Sequence, residues 1–192
     1  MRKSLLALLA ALALFLVSCR PATPEPSTPP DTPSTPTEPA PLTLDALDVE
    51  FAVDGRDADA LLTLQKTFPA ALTDALSKQN VTVGAVNLSF GASGEATLSA
   101  LRLGTVTLAF LPAEDAFAYL GGTLVAVERG ADDDLTRSVL LLALDNPELA
   151  EALRAALDDL EATLADYAGA YEYDAASIAA LQTVYEENND NL

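Results

Sequence analysis

SFGASGEATLSALRLGTVTLAFLP, residues 89–112, decides how this chain is read. A small polar turn, Gly91-Ala92-Ser93-Gly94, follows the apolar end of one strand and opens a helix. Ser93 is a helix-capping residue, and Glu95 lies in the first turn, where the helix dipole favours an acid. Val106–Leu111 is then almost wholly apolar, as a strand buried on both faces must be. Strand, helix and buried strand in succession predict a parallel crossover.

The same alternation extends in both directions. Leu47–Val53 places Leu47, Val49, Phe51 and Val53 at period two, predicting a strand. Ala58–Gln79 carries Leu61, Leu64, Phe68, Leu72 and Leu76 at helical spacing, with Pro69 predicted to interrupt it. Val81–Phe90 reads as one strand with a bulge at Gly84. Glu114–Leu120 reads as a short helix, and Thr123–Glu128 and Ser138–Leu144 as strands. Asn146-Pro147-Glu148 is a helix start built from a cap, a first-turn proline and an acid. Leu149, Leu153, Leu157, Leu160 and Leu164 stripe the helix that follows, and Asp174 caps a last one. The expected fold is α/β: a single lobe with a mostly parallel sheet and flanking helices.

The first 41 residues read differently. Met1-Arg2-Lys3 precedes the apolar run Leu5–Val17, which is shorter than the roughly 20 residues of a membrane span. Residues 1–18 are expected to be a lipoprotein signal peptide, because Leu16-Val17-Ser18-Cys19 has the form after which a cysteine becomes the acylated N-terminus. Cys19, the lipidation site, is the only cysteine, so no intrachain disulfide can form. Residues 19–41 read as a disordered linker holding nine of the twelve prolines. In polyproline II geometry it reaches roughly 70 Å. The lobe then spans 42–188, and 189–192 is a tail expected to fray. These readings predict a protein anchored to membrane through the lipid on Cys19. It would sit on the outer face of the cytoplasmic membrane or in the periplasm on the outer membrane.

Composition excludes several chemistries. Residues 42–192 hold 26 acidic and seven basic residues, the source of the chain's net charge of −19. Nucleic acid is therefore not an expected partner, since phosphate binding needs clustered Lys and Arg. The chain has no histidine, and its one cysteine is assigned to the anchor. No activated serine or thiol nucleophile can be assembled, and no enzyme, metal or cofactor is expected. Asp132-Asp133-Asp134 lacks the alternating spacing of a calcium loop and reads as a solvated turn. Tyr167, Tyr171, Tyr173 and Tyr185 read as packing residues of the last helices.

Binding is what remains. In an open parallel sheet, ligands sit beyond the carboxyl ends of the strands. The candidates there are Asp54, Ser89, Ser93, Gly94, Glu114 and Asp115. Ser93 and the free amides that begin at Gly94 read equally as an anion seat and as an ordinary cap. Glu114 and Asp115 put two acids at the rim.

The stretch ALRLGTVTLAFL, 100–111, together with the strands and helix before it, resembles the first lobe of periplasmic phosphate/phosphonate-type substrate-binding proteins of ABC importers. YEYDAASIAALQTVYEE, 171–187, is similar to that family's closing helix. The resemblance covers about 47–128 and 137–188. It implies one lobe of a type II periplasmic binding protein that presents a small phosphonate-like or amine-bearing ligand to an ABC permease. The family's second lobe has no counterpart here, because SVLLLAL runs directly into the helix of 149–164. A single lobe implies two further readings: a protein-interaction or homodimerisation module, and a remnant without ligand binding.

Overall fold

Leu47, Val49 and Phe51 alternate along one strand, and all three are fully buried. The computed structural model describes residues 40–53, 55–130 and 134–190. Its elements are β1 (Leu42–Leu44), β2 (Leu47–Ala52), α1 (Ala58–Ser77), β3 (Val81–Val83), β4 (Val86–Gly91), α2 (Gly94–Leu103) and β5 (Leu108–Pro112). They continue with α3 (Ala113–Phe117), β6 (Thr123–Glu128), β7 (Ser138–Leu142), α4 (Pro147–Ala168), β8 (Tyr171–Glu172) and α5 (Ala175–Asp190).

Six strands form one sheet in the order β4-β2-β5-β7-β6-β8. β4 and β5 both run parallel to β2. β7 runs against β5, β6 against β7, and β8 against β6. Four of the six strands thus point the same way, and the fold is the single α/β lobe expected from the strand–helix alternation. The first five residues of SVLLLAL, where the lobe would return from a second one, are the antiparallel β7 at the sheet's centre, which ends at Leu142 rather than Leu144. Residues 129–137 connect it directly to β6.

Period two sorts the sheet's side chains into two cores. Leu47, Val49, Phe51, Leu108, Phe110, Leu140 and Leu142 face α1 and α4. Ala52, Ala109, Leu111, Val139 and Leu141 face the other way, with Leu101 of α2, Ala116 of α3 and Leu181 of α5. β6 departs from strict alternation: its register against β7 shifts between Leu124 and Ala126. Arg154 of α4 reaches this irregularity, donating through Nη2 to the Leu124 carbonyl at 3.2 Å and through Nε to the Val125 carbonyl at 3.4 Å. A bulge leaves backbone oxygens without a ladder partner, and the planar guanidinium supplies donors for both.

Two expectations need correction. Pro69 does not divide its segment: α1 is one helix with Pro69 inside it. Burial of Leu64, Phe68, Leu72 and Leu76 on a single stripe outweighs the roughly 3 kcal/mol that an interior proline costs. Val81–Phe90 is not one strand but two, β3 and β4, broken at Gly84 and Ala85. The break has a matching one at Asp45 and Ala46, because Leu42 pairs with Val81 and Leu47 with Val86 in the same offset. β1 and β8 were not foreseen; strands of three and two residues carry too little periodicity to read.

Gly84 sits at that break with no space for a side chain. A Cβ there would stand 2.6 Å from the Asp45 carbonyl oxygen, a backbone atom fixed by the flanking ladders. Gly84→Ala is therefore expected to cost about 1–3 kcal/mol, as overpacking against unyielding atoms does. Urea unfolding followed by circular dichroism measures it; an unchanged midpoint would show that the Asp45 turn gives way.

Candidate functional site

A cavity of about 360 Å³ opens where β2 and β5 end and β7 begins, lined by Ala52, Arg56, Pro112, Glu114, Thr136, Ser138 and Tyr167. Its position follows from topology. Two parallel strands finish at one edge, and their connections to α1 and α3 diverge to opposite faces, leaving a crevice between them.

Each wall is held locally. Arg56 belongs to the turn between β2 and α1, whose first turn is capped by Asp57 accepting from the Asp59 and Ala60 amides. The Arg56 guanidinium lies 4.6 Å from the centroid of the Tyr167 ring, and its Nη1 donates to the Tyr167 carbonyl. Tyr167, near the end of α4, donates its phenol to the Ala52 carbonyl at 2.7 Å. Ser138 accepts from the Tyr171 phenol at 2.7 Å, and its amide donates to Glu128 Oε2 at 3.2 Å. Thr136 comes from the 129–137 connection, which is tied to α3 by the Ala113 and Glu114 amides donating to Arg137 and Leu135 carbonyls. The lining thus offers one cation, one carboxylate and the hydroxyls of Thr136, Ser138 and Tyr167 to a small space.

Tyr171 beneath Ser138 is buried, and desolvation pushes its phenol pKa well above the ordinary value of 10.0. The folded state therefore holds this proton more tightly than the unfolded chain does. Stability from Tyr171 is present in full below the ordinary tyrosine range and is lost as pH rises through it toward the raised folded value. Wild-type protein is expected to lose stability above about pH 10 more steeply than Tyr171→Phe, as urea midpoints across pH 8–11 would show. Equal slopes would overturn this.

The candidates read from sequence fall in several places. Glu114 lines the cavity. Asp115 turns away from it: its Oδ2 lies 1.9 Å from where a Cβ on Gly94 would stand. The Asp115 carboxylate thus lies against Gly94, the first residue of α2, at the helix end whose dipole favours an acid. Ser93 caps α2 by accepting from the Ala96 amide at 3.2 Å. Ser89, in β4, donates to Glu50 Oε2 at 2.9 Å. Ser89, Ser93 and Gly94 are not among the cavity's lining residues. Cys19, Asp54, Asp132 and Asp133 lie outside the described residues; Asp134 accepts from the Thr136 amide.

Sequence reading missed Arg56, Thr136, Ser138 and the double role of Tyr167. Arg56 carried a usable signal: it is one of seven basic residues in the lobe and follows the carboxyl end of a strand. Tyr167 packs as expected, edge-on to Phe51 at 4.8 Å, and lines the cavity as well. Among the described residues, no group of three or more acidic or cysteine side chains is placed to hold a metal ion.

No family model matches the chain, and no curated protein matches it. Among solved structures, the chain is similar to one described as XAC2383 from Xanthomonas citri bound to chloride ion, with 10% sequence identity and a TM-score of 0.54. The match covers 77% of this chain and 99% of that one, a likeness of fold.

Proposed function

We propose that the chain is a lipid-anchored, extracytoplasmic solute-binding lobe that presents a small ligand to an ABC importer. The observation that carries the reading is the cavity at the carboxyl edge of the sheet, with Arg56 and Glu114 in its lining. A guanidinium there suits a phosphonate or carboxylate, and Glu114 suits an amine. The ligand class is a small zwitterion of the aminophosphonate type. With Asp115 set against Gly94, Glu114 is the acid that faces the cavity, so the two acids of the sequence do not both oppose an anion. One lobe leaves one side of the ligand uncovered, and the second wall is supplied by the importer. Cys19 and the proline-rich linker would hold the lobe within reach of it. Isothermal titration with aminoethylphosphonate, methylphosphonate and phosphate tests the reading. Heat with the first and little with the others is expected; no heat with any of the three, from folded protein, would overturn it.

A second reading rests on a separate observation. Residues 81–94 contain no charged side chain and no proline, in a lobe with 26 acids. β4 is the outer strand of the six-stranded sheet, paired only to β2 among the described residues. Natural edge strands are usually protected by charge, proline or bulges. An antiparallel β4–β4 pairing would set Val86, Leu88 and Phe90 of two copies on one face with no carboxylate in either strand. Light scattering distinguishes the readings: a dimer abolished by Leu88→Lys supports self-association, and a monomer at high concentration refutes it.

A further inference from the structure

Ser138 opens β7, lines the cavity and is 3% exposed. Side chains alternate along a strand, so it shares the sheet face of Leu140 and Leu142. Tyr171 of β8 belongs to the same core, edge-on to the Phe110 ring at 5.3 Å. The Ser138 and Tyr171 hydroxyl oxygens are 2.7 Å apart. A single hydrogen bond joins them, so one of their two protons fills it and the other needs a second acceptor. Among the described residues, the bonds of Ser138 are this one and its amide's to Glu128, and neither takes the serine's hydroxyl proton.

Tyr171 is the donor of the pair. Its phenol is buried, and Ser138 Oγ is its partner among the described residues. Desolvation, and Tyr167 after it, keep the phenol protonated far above neutral pH. If Ser138 donated instead, the phenol proton would be buried with no acceptor, at the full cost of desolvation. The serine oxygen therefore receives, and its own O–H turns away from Tyr171. Tyr167, the other buried hydroxyl of the lining, commits its proton to the Ala52 carbonyl at 2.7 Å. Ser138 is thus the buried side chain of the lining that has a donor left for a ligand.

We propose that Ser138 donates its hydroxyl proton to an anionic oxygen of the ligand beside Arg56, and that Tyr171 is the positioning residue that turns this donor toward the cavity. The proposal rests on the solute-binding reading and adds which hydroxyl reads the anion. Arg56 supplies charge. Ser138 supplies direction, because its oxygen is held by the strand and by Tyr171. The bond accepted from Tyr171 also polarises the serine O–H in surroundings of low dielectric and strengthens it as a donor. A water molecule is the competing acceptor, and a charged oxygen accepts more strongly.

Isothermal titration of the full chain with aminoethylphosphonate, methylphosphonate and phosphate tests it, in wild type, Ser138→Ala, Tyr171→Phe and the double variant. Ser138→Ala is expected to weaken binding about tenfold or more, the loss of a hydrogen bond to a charged group. Tyr171→Phe is expected to weaken it about threefold, because the serine hydroxyl is then neither polarised nor held. The double variant should bind like Ser138→Ala alone, since no hydroxyl remains for the phenol to direct. A purely structural role for Tyr171 would weaken binding in both backgrounds, and that result overturns its part in the proposal. Ser138→Ala leaves the Tyr171 proton without an acceptor, whereas the double variant removes both partners and is expected to be the more stable of the two in urea. Should Ser138→Ala not fold, a double variant that binds as tightly as Tyr171→Phe overturns the proposal. No heat from wild type with any of the three ligands overturns the importer reading and this proposal together. Heat from wild type with affinity unchanged in Ser138→Ala overturns this proposal alone.

Discussion

Phe110→Ala is expected to cost about 3–5 kcal/mol, the largest stability effect of any single side chain named above. Phe110 is fully buried at the centre of the sheet, on β5 between β2 and β7. Its ring stacks on Phe51 with centroids 4.1 Å apart, and it meets Phe68 and Tyr171 edge-on at 5.7 and 5.3 Å. Truncation removes apolar burial and leaves a void whose walls are other rings, held in place by the strands on either side. Domains are stable by about 5–15 kcal/mol, so a large share of that margin would go. Phe90→Ala provides the contrast. Phe90 is half-buried on the edge strand, with its ring 6.4 Å from Phe51, and the outer side gives neighbours room to relax. Urea unfolding of both variants measures the difference. A cost below 1 kcal/mol for Phe110→Ala would mean that the aromatic cluster repacks.

The second large effect is on binding. Under the proposed solute-binding function, Arg56→Met is expected to weaken aminoethylphosphonate binding at least 30-fold, about 2 kcal/mol or more, because it would remove the cavity's cation from an anionic group. Methionine retains apolar contact with the Tyr167 ring. The loss in stability is expected to stay near 1 kcal/mol, the net worth of the hydrogen bond to the Tyr167 carbonyl. Arg56→Lys should restore charge but not the planar fork, and so recover affinity only in part. Calorimetry of the three proteins side by side is the measurement. Affinity unchanged in Arg56→Met would remove Arg56 from the site.

Local signals carried much of the fold. Ser93 caps α2, Asn146 caps α4 and Asp174 accepts from the Ala176 amide at the start of α5, each as its residue type and neighbours predict. Gly104 ends α2 with φ of 70°, a left-handed turn that glycine adopts freely. Pro69 shows where such signals stop. Its cost is local and visible in sequence, but the stripe it interrupts is buried against α4 and the sheet, and only packing weighs one against the other.

The candidate site was legible as a place more than as residues. The carboxyl edge of the strands followed from alternation alone, and Glu114 was found because it follows β5 directly. Arg56 and Tyr167 are 111 positions apart, and their contact depends on α4 returning across the sheet. Asp115 and Gly94 are likewise joined only by α2 packing beside α3.

By itself, the sequence determined that residues 42–188 alternate strands and helices around two-faced apolar strands, because period and capping are local properties. It also determined that no histidine or thiol chemistry is available to the lobe. Tertiary structure decided which carboxylate faces the cavity and which lies against a helix start. It decided that a guanidinium rests on Tyr167, and that Ser89 of β4 bonds Glu50 of β2. Each of these depends on the order of strands in the sheet, and strand order is set by long-range burial rather than by any neighbouring residue.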